Sequence, residues 1–245
     1  MNRLDIKRSM SALPEYLQEI PEEVRKKTGI EVEFKEPDAE FKTRNPGMAA
    51  TSAGVEIDPD NNSIIIWLTP AGLEKGALIH ELLHLKRNII DSVLKIFPNS
   101  SSPVHIQQQT FFLENDFEHL FILPEEILAD PEREKEWVEV YKNALEKSRD
   151  RVLSLYMHWL VLNIALPNQT ELIAECKSLL HGFPPYDVFG AAESLRNQVQ
   201  SSMPDKHKML NVLSSILRPE LRSHMLIGRY VSANGRLTAE CLGAL

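Results

Sequence analysis

The segment Ala77-Leu78-Ile79-His80-Glu81-Leu82-Leu83-His84-Leu85 sets three polar side chains into an otherwise apolar stretch of helical character. Positions i and i+4 of a helix lie on one face, so His80 and His84 point the same way, with Glu81 beside them. Two imidazoles on one face can reach a single metal ion. A neighbouring carboxylate can then take a proton from a water held there. Leu78, Ile79, Leu82, Leu83, Leu85, Ile89 and Ile90 make an apolar set wide enough to bury this helix on most sides. An unpaired buried polar group costs about 1–3 kcal/mol, so these residues need partners, and a metal satisfies both histidines at once. Zn2+ is the cofactor this spacing suits, with His80 and His84 as ligands and Glu81 as the catalytic base.

The remaining composition narrows the function without naming it. The chain of 245 residues carries a formal charge of −8, which argues against binding nucleic acid through phosphate contacts. The two cysteines, Cys176 and Cys241, lie far from the histidines and lack CxxC spacing, so they read as reduced thiols. The first eight residues have no apolar core of the signal-peptide kind, and no run approaches the ~20 apolar residues of a membrane span. The expectation is a cytoplasmic protein without a membrane partner.

Alternating polarity predicts a strand at Ile30-Glu31-Val32-Glu33-Phe34 after a helix over 14–27 that Ser11 caps and Gly29 stops. Asp38 to Gly54 reads as irregular, with a turn at Pro46-Gly47. Val55-Glu56-Ile57 and Ser63 to Leu68 form a hairpin around Asp58-Pro59-Asp60-Asn61-Asn62. Thr69-Pro70 then opens the histidine helix, which extends toward Phe97 or breaks past Arg87. A second long helix runs from Val104 to Ile122, ended by Pro124. Helical patterns follow at 132–147, 150–165, 169–181, 187–201 and 205–217. The predicted class is α+β and mostly helical. A small N-terminal sheet packs on the histidine helix in a catalytic core over 1–125, and a helical region covers 126–245.

A zinc site of this kind requires a third protein ligand and an open position. The second helix offers Glu114-Asn115-Asp116-Phe117-Glu118-His119, a polar cluster among apolar residues. Glu118 is the favoured ligand. His119 and Glu114 are alternatives, and Asn115 could orient a ligating side chain. Asp116 points away and is expected to face solvent. His158, beside Trp159, reads as a satisfied core residue; Tyr186 and Tyr230 are weak candidates for stabilising an oxyanion.

With His80-Glu81-x-x-His84 on a helix, a preceding hairpin and a downstream helical Glu118, the chain resembles the zincins. It resembles in particular the gluzincin-like cytosolic peptidases of the ImmA/IrrE type. The resemblance covers roughly residues 30–125. It implies a zincin-like fold, a zinc metallopeptidase activity with Glu81 as general base, zinc held by His80, His84 and a later Glu, and a protein or peptide substrate. Two features depart from that family: Leu83 stands where a Gly is common, and the small-residue pattern after the third ligand is missing. The alternative is a non-catalytic metal-binding or interaction protein that keeps the same scaffold.

Overall fold

The computed structural model describes residues 3–38, 53–69, 73–183 and 187–245. Pro46, Gly47, Pro70 and Tyr186 lie outside them. The fold is α+β, with helices predominating and two three-stranded sheets. Contacts divide the chain into two units, Met1–Val93 with Arg229–Glu240, and Leu94–Gly228 with Cys241–Leu245. Among the described residues, no helix is long and apolar enough to cross a membrane.

The first unit opens with α1 (Arg3–Ser11), α2 (Glu15–Gln18) and α3 (Ile20–Thr28). The single helix expected over 14–27 is therefore two, because Pro21 sits in the first turn of α3, where its missing N–H is tolerated. Ser11 caps nothing downstream; it is the last residue of α1, and its hydroxyl donates to the Arg8 carbonyl. Gly29 ends α3 as expected, in the left-handed conformation at φ 75°.

The first sheet has the order β1-β3-β2, with β1 (Val32–Lys35) parallel and β2 (Ala53–Asp58) antiparallel to β3 (Ser63–Leu68). The expected hairpin is thus present, in a register that pairs Val55 with Ile66. The central strand β3 is buried on both faces. Ile64, Ile66 and Leu68 fill one side, while Ile65 and Trp67 pack together on the other. The Trp67 indole donates to Glu56 across the hairpin at 2.6 Å.

Helix α4 (Lys75–Leu85) carries the two histidines and packs on β2 and on α1 to α3. Its cap position is Glu74, not Thr69. Thr69 directly follows β3. The helix does not continue to Phe97. It passes into a π-helical turn, Lys86–Ile90, closed by the Asp91 N–H on the Lys86 carbonyl.

In the second unit, β4 (Lys95–Pro98) is followed by α5 (Val104–Ala129), α6 (Arg133–Lys147), α7 (Val152–Ile164), α8 (Thr170–His181), α9 (Val188–Ser202), α10 (Lys206–Ile216) and α11 (Pro219–Arg222). The helices predicted over 132–217 match α6 to α10 closely. Helix α5 runs past Pro124, which lies on its exposed side, and the boundary expected near residue 125 falls inside it. Phe117, Leu120, Leu123, Leu145, Leu155 and Leu160 lead the unit's continuous apolar core.

The C-terminal region is not helical to its end. Strands β5 (Met225–Ala233) and β6 (Arg236–Ala244) form a hairpin, and β4 pairs antiparallel with Met225 to Gly228. Asn234 and Gly235, at φ 54° and 74°, form the turn; both central positions are left-handed, as a tight hairpin demands. In the first unit, Asn62 holds this turn from both sides. Its side-chain amide donates to the Gly235 carbonyl at 3.1 Å, and its oxygen accepts from the Leu237 N–H at 2.8 Å.

Two residues of α5 test how much its packing contributes. Phe117 is fully buried, whereas Leu128 is 83% exposed. Phe117→Ala should lower unfolding stability in urea by about 3–5 kcal/mol. Leu128→Ala should stay within about 0.5 kcal/mol of the parent.

Candidate metal centre

Helix α4 brings His80, Glu81 and His84 together as the spacing predicts. The Nε2 atoms of His80 and His84 lie 3.1 Å apart, and the two rings meet edge to face with centroids at 4.6 Å. Glu81 and His84 are buried, and His80 is half-buried. Two nitrogens at about 2.0–2.1 Å from a tetrahedral zinc ion would stand about 3.3 Å apart, so this pair fits a shared metal. Without a metal, the same distance allows one imidazole N–H to donate to the other ring.

The candidates for the third ligand separate onto two faces of α5. Glu114 and Glu118 face a buried lysine. Lys206, at the first turn of α10, donates to Glu114 Oε1 at 2.8 Å and also to Glu118 Oε1. Glu114 Oε2 accepts the Ile96 N–H of β4 at 2.9 Å, and Lys95 Nζ lies 3.7 Å from Oε1. Lys206, Glu114 and Glu118 are all buried, Glu118 completely. Charges removed from water this thoroughly are held by one another. The Glu118 side chain favoured as a ligand is therefore engaged in an ion cluster that ties α5 to α10.

The other face turns toward α6. His119 Nδ1 is 3.3 Å from the Tyr141 hydroxyl, and its ring packs at 4.9 Å on Trp137. Its Nε2 is 3.3 Å from the Asn115 side-chain amide. Two turns along, Glu126 accepts from the Trp137 indole at 3.0 Å and pairs with Arg133. Asp116 is half-buried rather than open to solvent, and burial pushes its carboxyl up to about 7. Burial also raises the Tyr141 hydroxyl well above its usual range, with Asp116 adding to the effect.

His158 meets the Tyr141 ring edge to face, with centroids 5.6 Å apart. His158 Nε2 contacts Ser148 Oγ at 3.1 Å, but its Nδ1 is buried without a hydrogen-bond partner, so the expected satisfied core histidine is only half satisfied. His105, His181 and His207 are exposed. His224 Nδ1 meets Ser102 Oγ at 3.1 Å. Sequence reasoning passed over Tyr141 and Lys206, which decide what the α5 polar cluster does. The apolar spacing of α6 marks Tyr141 as a core position, and nothing in the sequence pairs Lys206 with glutamates some ninety positions earlier.

No protein-family model, no curated protein and no solved structure matches this chain.

Two outcomes follow from the buried charges. Lys206→Met strands two carboxylates and should cost about 3–5 kcal/mol in urea unfolding; adding Glu114→Gln and Glu118→Gln should restore part of the loss. His158 is held neutral, its pKa pushed down to about 4 by burial. Protonation then favours the unfolded chain, so this contribution is present above pH ~6.5 and is lost as pH falls toward 4. It amounts to about 3 kcal/mol. His158→Gln should remove that part of the difference between stabilities measured at pH 7 and pH 4.

Proposed function

We propose that this protein is a metal-dependent hydrolase, with peptide bonds of a protein or peptide as its substrate. His80 and His84 supply two ligands, and zinc is the metal these donors suit. The observation that carries this reading is the 3.1 Å approach of the His80 and His84 Nε2 atoms, with buried Glu81 one residue from the first of them.

A bound divalent ion would supply Lewis acidity, lowering the pKa of water from ~15.7 toward ~7. The residues do the rest. His80 and His84, one helical turn apart, would hold the ion. Glu81 accepts a proton from the attacking water and delivers it to the leaving amine. The buried leucines of α4 limit the water around Glu81, which strengthens its interactions. The apolar wall and the absence of a nucleophilic serine or cysteine in the turn carrying the histidines favour direct attack by water over a covalent route.

Glu81→Gln tests the reading. The variant should keep the metal stoichiometry of the parent, measured by atomic emission, and lose about 10²- to 10⁴-fold in hydrolysis of an unfolded protein such as casein. Equal hydrolysis by the variant and the parent would sink the proposed role.

A further inference from the structure

We draw no further inference here: the strongest candidate, the exposed apolar patch of Val104, Phe111 and Phe112 on the first half of α5, carries nothing, because nothing in the structure shows what covers it.

Discussion

Lys206 fixes the rotation of α5, and the chemistry available on that helix follows from the rotation. A buried ammonium group needs carboxylates around it, and Glu114 and Glu118, one turn apart, supply two. Once their side is turned toward α10 and β4, successive residues advance by about 100° around the helix. His119 is thereby directed toward α6, with Asn115 one turn before it and Glu126 two turns after it. The three form a polar stripe that meets Trp137 and Tyr141. One helix thus carries two polar faces, one occupied by the Lys206 ion cluster and one by His119 with Asn115 and Glu126.

That division explains where the sequence was informative. The heptad-like spacing and Gly or Pro breaks place α6 to α10 within a residue or two, because each helix buries one apolar stripe. Spacing also brings His80 and His84 together, since their geometry is local to one turn. It does not choose among Glu114, Glu118 and His119, which share a few turns of helix. That Glu114 and Glu118 join an ion cluster depends on a cation many positions later in the chain, a tertiary fact that leaves no mark in the local pattern.

The misread elements have specific causes. Ile89, Ile90, Val93, Leu94 and Ile96 fit a helical period and a short strand equally well, so the pattern does not decide between a helix reaching Phe97 and a break past Arg87; the π turn and β4 fall on the side of the break. Pro124 reads as a stop, but its ring lies on the exposed side of α5, and the helix continues to Ala129. The C-terminal hairpin had a strong signal in Asn234-Gly235, flanked by Tyr230-Val231 and Leu237-Thr238. The run of preceding helices set an expectation that this dipeptide should have overridden.

The end of α4 shows how the fold protects its polar turn. A helix leaves its last carbonyls without partners, and here that end comes just after a buried histidine. The π turn carries the chain onward with a wider ring of hydrogen bonds, and Asn88 is buried within it. Lys27, from the end of α3, then donates to the Ile90 carbonyl at 2.6 Å and to Ser92 Oγ at 3.0 Å, placing a positive charge at the negative end of the helical segment. Ser92, at φ 48°, absorbs the reversal of direction. The turn bearing His80, Glu81 and His84 is therefore clamped by leucine packing along its length and by a lysine at its exit. Holding two imidazole nitrogens 3.1 Å apart requires both their separation along the helix and a helix that does not fray beneath them.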